Sequence, residues 1–532
     1  MTLILRTLRA ALTLSLCLGA ARAPLAAQTS AQASAPVRDE VFYQIFVRSF
    51  RDSNGDQQGD LPGITSQLDH LERLGVTTLL LTPIGPSPFY HNYFLDDFAG
   101  IDPAFGTEQD LRTLAGALHR RGMRIYLDME LQYVSGRHPW FTDSYRRPGS
   151  RYAPYLLYED SANTRYQTGY WDKEEVGTFD GRRVRIATVN MLHPDMQRIH
   201  AEVFTHFLRP SAPGRDDGVD GFRLDHMQDR LDEKPALSDL FARFWTPLFR
   251  ELRRVDPKVG LLAEQADWGY GEAWLERGDA DLVFAFPLRG AILSFDKTKL
   301  RTAIEETRRR TPVGKRQIVF LENHDVERFA TAVGGDLRKA KLGAALNLTL
   351  HGVPLLYYGQ ELGMTGKQIR DPSSSDGGDI PLREAYPWTS RVGPGMAVWY
   401  RNSGPWWDQS PLNTGRGVSL ESQRGQPDSL LATYQRLLAL RRAHPALVSG
   451  VQEIVETDHA SVFAFRRSAG ADRLVVVVNL GDAAAEVRVT AAGARGVLRD
   501  VFDRTAVSLD DRGVATLSLA PYGVRILAVG TR

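Results

Sequence analysis

The sequence contains almost no cysteine and almost no net charge. Cys17 is the single cysteine in 532 residues, so the chain beyond it is expected to hold neither disulfides nor thiol chemistry. The 65 Lys and Arg residues are balanced by 64 Asp and Glu residues, which gives a net charge of +1. This balance provides no basic surface for nucleic acid or anionic membrane, so we expect neither as a partner. An uncharged ligand suits it better.

Long hydrophobic runs are also absent. The apolar run at residues 10–20 is too short to span a bilayer; two arginines precede it and small residues follow it. This arrangement is typical of an export signal, so we predict a signal peptide at residues 1–27 and a flexible leader at residues 28–37. A disordered tail is the alternative. The prediction makes the protein secreted or periplasmic and removes Cys17 with the signal.

The remaining chain has an ordinary globular composition, with 43% hydrophobic residues, and alternates between strand and helix patterns. Eight near-continuous apolar runs indicate buried strands. They are Val41–Phe46, Thr77–Leu81, Arg124–Met129, Gly221–Asp225, Gly260–Glu264, Leu282–Phe286, Gln317–Leu321 and Pro354–Tyr358. The alternation predicts an α/β fold of the (β/α)8 TIM-barrel type. An open doubly wound sheet is the main alternative, although the sequence lacks the glycine-rich motifs of its nucleotide-binding forms.

Two stretches depart from this alternation. The connection after the third strand, residues 131–194, is too long for a structureless loop and predicts a subdomain inserted into a barrel of residues 38–445. After a helical pattern at Ser429–Ala443, short alternating β patterns are separated by Gly, Asp and Ala turns. They predict a separate C-terminal antiparallel β-sandwich at residues 446–532.

Acidic side chains stand at or just beyond the C-terminal ends of four predicted strands. The third strand ends near Asp128, the fourth ends at Asp225 and the fifth at Glu264, and Asp325 follows the seventh. A single acid at such a point is more often a cap for a helix or loop. In a barrel, however, four strand ends meet at one mouth, so we predict a cluster of acids in one cleft.

Two of these acids are predicted to differ in protonation. Arg223 lies two residues before Asp225, on the same face of the strand, and can keep that carboxylate ionised. Glu264 follows the apolar residues 261–263, which are expected to raise its pKa and retain its proton. One ionised and one protonated carboxyl is the arrangement that retaining glycoside hydrolysis requires. A purely structural ion pair between Arg223 and Asp225 is the alternative.

Several segments match the sequence signatures of a known family. They are residues 221–225 (Gly-Phe-Arg-Leu-Asp), 263–264 (Ala-Glu) and 320–325 (Phe-Leu-Glu-Asn-His-Asp), with further matches at residues 42–50, 101–107 and 358–364. In this order they resemble the α-amylase family, glycoside hydrolase family 13. The resemblance implies a barrel with an insertion after the third strand, a C-terminal β-domain, and hydrolysis of α-linked glucans such as starch and maltodextrins.

The resemblance also implies roles for individual residues. Asp225 corresponds to the family's nucleophile, Glu264 to its acid/base and Asp325 to its transition-state stabiliser. Arg223 and His324 would contact the nucleophile and the bound sugar, and Asp128 is expected in the same substrate-binding group. The expected partner is an oligo- or polysaccharide, and we expect a monomer.

The sequence departs from the family pattern at two motifs. The first signature, Asp-x-Val-x-Asn-His, is residues 128–133 here, Asp-Met-Glu-Leu-Gln-Tyr. Gln132 replaces an Asn that binds calcium in many members, and Tyr133 replaces a His that touches the sugar. The Gly-Tyr-Asp motif is Asn-Tyr-Phe, in which Tyr93 keeps a stacking surface and Phe94 removes a polar group. The more aromatic site predicts internal cleavage of α-1,4 chains; an exo-acting α-glucosidase, a transglycosylase and a non-catalytic sugar-binding protein are the alternatives.

The loop after the first strand is a second chemical signal. Its alternate positions carry oxygen atoms of the kind that calcium prefers. These positions are Asp52, Asn54, Asp56, Gln58 and Asp60. The loop is not an EF-hand but resembles the short calcium loop of glucosidase-like members, with Gln58 offering its backbone carbonyl. We therefore predict one structural Ca2+; an Asx-rich solvated turn is the alternative.

Exposed tryptophans could bind sugar rings by stacking. The candidates are Trp171 in the insertion, Trp268 just after Glu264, and the pair Trp406 and Trp407. Any one of them is more often part of a core. Trp268 is favoured by its position next to a predicted strand end.

Overall fold

The computed structural model describes residues 39–169, 173–369, 375–401, 417–490 and 497–529. The strands, in chain order, are β1 (Phe42–Ile45), β2 (Thr78–Leu81), β3 (Arg124–Met129), β4 (Tyr133–Ser135), β5 (Glu175–Gly177), β6 (Arg183–Thr188), β7 (Gly221–Met227), β8 (Gly260–Gln265), β9 (Leu282–Phe284), β10 (Arg316–Phe320), β11 (Val353–Tyr357), β12 (Val451–Val455), β13 (Val462–Ala469), β14 (Asp472–Asn479), β15 (Ala485–Thr490), β16 (Val497–Asp500), β17 (Ala506–Ser508), β18 (Val514–Leu519) and β19 (Val524–Val529). The predicted signal peptide and leader, and Trp171, Trp406 and Trp407, lie outside the described residues.

Helices pack between and around these strands. They are α1 (Val47–Phe50), α2 (Leu61–Ser66), α3 (Leu68–Leu74), α4 (Glu108–His119), α5 (Pro139–Ser144), α6 (Pro194–Leu208), α7 (Thr246–Val255), α8 (Glu272–Glu276), α9 (Phe286–Ser294), α10 (Lys297–Arg309), α11 (Phe329–Ala332), α12 (Leu337–Thr349), α13 (Leu420–Gln423), α14 (Leu430–Ala443) and α15 (Pro445–Val448). In the part of the chain that the structure describes, no helix combines the length and apolarity needed to cross a membrane.

Eight strands close into a parallel barrel, as the sequence predicts, and an open sheet is excluded. Their order is β1-β2-β3-β7-β8-β9-β10-β11. Phe42 of β1 pairs with Thr78 of β2 on one side and with Leu355 of β11 on the other, which closes the ring. Every strand boundary lies within two residues of its predicted position. The predictions held because buried parallel strands are almost continuously apolar.

Large side chains fill the inside of the barrel. Phe42 meets Tyr126 edge to face, with ring centroids 5.0 Å apart, and both are buried within one apolar cluster. Tyr126 also fills the space beside Gly221 and Gly260, where no side chain would fit. The interior is therefore a packed core, and ligands must bind at the barrel's end rather than within it.

The connection after β3 contains a small antiparallel sheet of order β4-β6-β5, in the position predicted for the inserted subdomain. Tyr133, at the start of β4, pairs with Thr188 at the end of β6. The sheet thereby fixes the backbone of Tyr133 close to the end of β3.

The C-terminal strands form two sheets, one of order β12-β13-β14-β19-β16-β17 and one of β15 with β18. Apolar residues from both sheets share one core, including Val475 and Val477 of β14 and Val487 and Leu517 of the smaller sheet. This is the predicted antiparallel β-sandwich. Alternating patterns at residues 461–467, 473–479, 485–490, 496–502 and 514–519 predict β13, β14, β15, β16 and β18, whereas the sequence does not predict β12, β17 and β19.

One predicted helix is divided in the structure. The sequence pattern at Ile64–Leu74 predicts a single helix, but α2 ends and α3 begins at Gln67, whose backbone leaves the helical region at φ −107° and ψ 9°. The first helix also starts earlier, at Leu61. Its start is fixed because the Asp60 side chain accepts the backbone N–H of Gly63.

Candidate active site

A cleft of about 530 Å3 lies at the C-terminal ends of the barrel strands. Asp225 of β7, Glu264 of β8 and Asp325 beyond β10 all line it, together with Tyr93 and His324. Strand geometry brings these residues together because parallel barrel strands all present their C-terminal ends on one side. The three acids predicted from the sequence therefore face one space.

Arg223 contacts several of the acids from the buried side of the cleft, and its side chain is only 1% exposed. Its Nη1 lies 2.5 Å from Asp225 Oδ1 and 2.7 Å from Asp128 Oδ1. Its Nη2 lies 2.6 Å from Glu264 Oε2. The sequence predicts an ion pair between Arg223 and Asp225 alone. In the structure, the Arg223 guanidinium contacts the carboxyl groups of three residues. Such charge-assisted contacts fix the relative positions of Asp225 and Glu264.

Burial changes the protonation of this cluster. It raises the pKa of Glu264 to about 7, against the opposing effect of the Arg223 guanidinium. It also raises the pKa of Asp128, to about 8, again against Arg223. Since desolvation disfavours a charged carboxylate, Glu264 holds its proton over a much wider pH range than an exposed glutamate. This agrees with the protonated state expected from its apolar approach along β8.

His324 lies between Tyr93, the predicted stacking surface, and Asp325. The Tyr93 and His324 rings are stacked with centroids 5.7 Å apart, and the Tyr93 hydroxyl lies 2.7 Å from His324 Nε2 and donates to Asp128 at 2.9 Å. His324 Nε2 is also 3.1 Å from Asp325 Oδ2. The side-chain amide of Gln44 donates to His324 Nδ1 at 3.0 Å.

The protonation state of His324 follows from these contacts. Burial lowers its pKa well below the usual value, and the charges of Arg223 and Arg383 lower it further. The ring is therefore neutral at pH 7. With Nδ1 accepting from Gln44, the ring proton resides on Nε2, which faces Tyr93 and Asp325.

Arg383 is a site residue that the sequence did not reveal. It is 4% exposed and lines the cleft from the segment after β11. Its Nη2 lies 3.0 Å from Asp325 Oδ1, its Nε donates to the His324 carbonyl at 2.9 Å, and its Nη1 donates to the Tyr90 hydroxyl at 2.9 Å. It thus contacts the carboxylate oxygen of Asp325 that His324 does not approach. The local sequence around Arg383 does not indicate this role.

The two departures from the signature after β3 have separate structural roles. The side-chain amide of Gln132 donates to the backbone carbonyls of Asp225 and His226, at 2.5 and 3.1 Å. Tyr133 is buried, lines the cleft, and donates its hydroxyl to Asp232. Gln132 therefore ties the end of β3 directly to the backbone of the predicted nucleophile.

Aromatic side chains form much of the cleft wall. Phe94 and Tyr133 both line it and meet edge to face at 6.0 Å. Trp268 also lines it, is 45% exposed, and stacks on Phe286 with centroids 4.8 Å apart and planes 4° apart. Trp268 is thus an open aromatic surface at the cleft, as its position after β8 suggested.

The loop of residues 52–60 binds its own backbone through its acidic side chains. Asp52 accepts the N–H groups of Asn54, Gly55 and Gln57, and Asp60 accepts those of Ser53 and Gly63. Among the described residues, no group of three or more His, Cys, Asp or Glu side chains is arranged to hold a metal ion.

The loop's donor set is nonetheless chemically suited to a hard cation. Burial raises the pKa of Asp60, and the neighbouring Asp52 charge adds to that rise. A cation would relieve this repulsion, and every side chain at the alternate positions offers oxygen. Asp56 and Asn54 are exposed, and the Gln58 side chain accepts from Arg48. Calcium binding by this loop remains a prediction.

Comparisons with known proteins agree with this geometry. Residues 44–450 match the family model "Alpha amylase, catalytic domain", and residues 452–526 match "Maltogenic Amylase, C-terminal domain". Alpha-amylase 3 of Dictyoglomus thermophilum is 30% identical over 428 residues, covering 79% of this chain and 80% of that protein. A probable alpha-glucosidase of Rhizobium meliloti is 30% identical over 487 residues, covering 80% and 86%.

A solved structure extends the likeness to three dimensions. The alpha-amylase from H. orenii has a TM-score of 0.75 and 28% sequence identity, and the match covers 93% of this chain and 100% of that one. The family model spans most of the chain and contains Asp225, Glu264 and Asp325. The chain therefore belongs to the α-amylase family and is an enzyme acting on α-linked glucans.

Proposed function

We propose that the enzyme is a retaining hydrolase that cuts α-1,4-linked glucan chains at internal bonds. The observation that carries the proposal is that Asp225, Glu264 and Asp325 line one cleft, with Asp225 and Glu264 held by the same guanidinium. Two carboxyl groups of different protonation beside one glycosidic bond are what the retaining mechanism needs.

In the first step, an oxygen of Asp225 bonds to the anomeric carbon while the bond to the leaving sugar oxygen breaks. Glu264 gives its proton to that oxygen. Arg223 and the His226 backbone N–H hold Glu264 Oε2 at 2.6 and 3.1 Å, so Oε1 is the oxygen left to carry the proton. In the second step, Glu264 takes a proton from water, and the water oxygen displaces Asp225 from the sugar.

Asp325 supports the positively charged transition state. Arg383 donates to its Oδ1 at 3.0 Å, and its Oδ2 lies 3.1 Å from His324 Nε2. A carboxylate held by a buried arginine is already oriented before the substrate's charge develops, and such preorganisation lowers the barrier.

Internal cleavage is supported by the aromatic wall of Phe94, Tyr133 and Trp268. Rings of this kind contact sugar faces along a chain, whereas an exo-acting pocket needs polar groups that grip a terminal sugar. Arg383 with its neighbour Asp379, 3.4 Å away, is a polar feature that favours the second candidate, an exo-acting glucosidase or transglycosylase.

The products formed early from maltoheptaose labelled at its reducing end distinguish internal cleavage from the exo-acting alternatives. Internal cleavage yields several shorter labelled products together, without an equivalent amount of free glucose. Labelled maltohexaose with free glucose as the only early products would refute internal cleavage. Products longer than seven units would instead identify a transglycosylase.

We expect kcat/KM on maltoheptaose to fall about ten-fold per pH unit above pH 7. The pKa of Glu264 is raised to about 7, so the acid is protonated below that pH and loses its proton above it. Maltosyl fluoride serves as the matched control, because fluoride leaves without a proton and its hydrolysis should not show this alkaline decline. An equal decline with both substrates would contradict the assignment of the proton donor.

We also propose one structural calcium ion in the loop of residues 52–60. Binding to the folded state alone stabilises by about 2.7 kcal/mol at a free concentration 100 times the dissociation constant. A chelator should therefore lower the melting temperature of the calcium-loaded enzyme. Asp52→Asn should abolish this effect, whereas Asp160→Asn, in a different loop with Asp-to-backbone hydrogen bonds, should keep it. An unchanged melting temperature with chelator would refute the site.

Export is a further proposal, supported by the charged and apolar pattern of residues 1–27. Expression of the full chain in a bacterial host, followed by N-terminal sequencing of the extracellular or periplasmic enzyme, tests it. A mature chain beginning near residue 28 is expected. Recovery of the enzyme only in the cytoplasm with Met1 intact would contradict it.

A further inference from the structure

Glu130 is a buried carboxyl group of the cleft that the mechanism above does not use. It follows β3, is 2% exposed, and lines the cleft together with Phe94, Tyr133 and Asp225. Its Oε2 accepts the backbone N–H of Phe94. Its Oε1 has no hydrogen-bond partner among the described residues. One oxygen is therefore fixed, and the other is free to meet a ligand.

The charges around Glu130 favour its neutral form. Burial raises its pKa well above the usual value, and the charge of Asp225 raises it further, as does that of Asp128. A second negative charge beside an ionised Asp225 would be costly in this buried position. As a neutral acid, Glu130 can accept through one oxygen and donate through the other.

The two aromatic neighbours of Glu130 offer little hydrogen bonding of their own to a sugar. Phe94 has an apolar side chain, and Tyr133 already donates its hydroxyl to Asp232. Glu130 also stands at the third position of the signature after β3, where the family pattern has Val. A sugar ring placed here would bring its hydroxyl groups to an aromatic wall that also carries the Glu130 carboxyl.

We propose that Glu130 is a specificity-determining residue that donates a hydrogen bond to one hydroxyl group of the glucose unit bound beside Asp225. The inference rests on the proposed hydrolysis at Asp225. A buried polar group that pairs with a substrate hydroxyl discriminates strongly, because a substrate without that hydroxyl leaves the group unpaired. The enzyme should therefore discriminate against a substrate that lacks this one hydroxyl.

The test uses α-maltotriosyl fluoride and its 2-, 3- and 6-deoxy derivatives at the reducing-end ring, the ring attacked by Asp225. With the unaltered enzyme, one of the three deoxy substrates should lose about ten-fold or more in kcat/KM relative to the others. Glu130→Met, which keeps the length of the side chain without its polar group, should lose a similar factor on the parent substrate. It should then show no further loss for that deoxy derivative.

Glu130→Gln is the matched control, because the amide can still accept from Phe94 and donate to the sugar. It should keep kcat/KM on the parent within about three-fold and keep the preference against the same deoxy derivative. If Glu130→Met does not fold, Glu130→Leu replaces it as the variant without a polar group, with the same expected results. Loss of that preference in Glu130→Gln would overturn the proposal.

Two further results would overturn it. One is a Glu130→Met enzyme that loses the same factors in kcat/KM on the three deoxy substrates as the unaltered enzyme does. Glu130 would then have no role beyond its hydrogen bond to the Phe94 backbone. The other is an unaltered enzyme that treats all three deoxy substrates alike. Failure of the underlying mechanism looks different, since Asp225→Asn would then still hydrolyse the parent fluoride.

Discussion

Asp225→Asn and Glu264→Gln are each expected to lower kcat on maltoheptaose by at least about 10,000-fold. An amide at position 225 cannot form the covalent intermediate, and an amide at position 264 cannot protonate the leaving oxygen. Both replacements preserve shape and hydrogen-bonding capacity, so circular dichroism and melting temperature should change little. Steady-state kinetics with a sensitive reducing-sugar assay measure the effect.

Maltosyl fluoride separates the two roles. Glu264→Gln should release fluoride rapidly in its first turnover, because this leaving group needs no proton, and then slow because water is no longer activated; Asp225→Asn should release none. Asp267→Asn is the matched control, because Asp267 is exposed two residues beyond β8 and accepts the Gly269 N–H. An Asp225→Asn enzyme with an unchanged kcat would refute the assignment of Asp225 as the nucleophile. An equal loss of kcat in Asp267→Asn would show that the effect is not specific to the predicted catalytic acids.

Arg223→Met is expected to lower the free energy of unfolding by about 3–5 kcal/mol at pH 8. The change leaves Asp128, Asp225 and Glu264 without their shared buried cation, and an unpaired buried charge is costly. The loss should shrink at pH 5. Without Arg223 the raised pKa values of Asp128 and Glu264 rise further in the folded state, so stability falls as pH rises above their unfolded values near 4. Denaturant unfolding at the two pH values measures it.

Arg182→Met is the control for that comparison. Arg182 pairs with Asp180 at the surface, where the two side chains are 51% and 30% exposed. Its loss should cost less than about 1 kcal/mol and depend little on pH between 5 and 8. A similarly small effect for Arg223→Met would show that the cluster does not depend on its central cation.

The barrel could be predicted from the sequence because its strands carry their own signal. Residues 125–127 of β3 are continuously apolar and are followed by Asp128, and Phe222 and Leu224 of β7 alternate with Arg223 before Asp225. Once eight such strands close into a ring, the positions of Asp128, Asp225 and Glu264 follow from geometry. The structure brings them together, and their individual roles remain predictions for the kinetic tests above.

The residues that the sequence did not reveal are those whose partners lie far along the chain. Arg383 reaches Asp325 from 58 positions away, and Gln132 reaches the carbonyl of Asp225 from 93 positions away. Neither follows from local periodicity, because both contacts depend on how two loops are placed over the barrel end. The division of one helix at Gln67 was missed for a different reason, since apolar spacing continues across the break.

The closure of the barrel has a consequence for the order in which a ribosome-bound chain can fold. β1 is among the first described segments to be made, yet Phe42 pairs with Leu355 of β11, which is made more than 300 residues later. At synthesis rates of about 5–20 residues per second, β1 waits at least about 15 seconds for this partner. During that time one side of an apolar strand has no neighbour, which makes the nascent chain a substrate for holding chaperones until residue 357 has emerged.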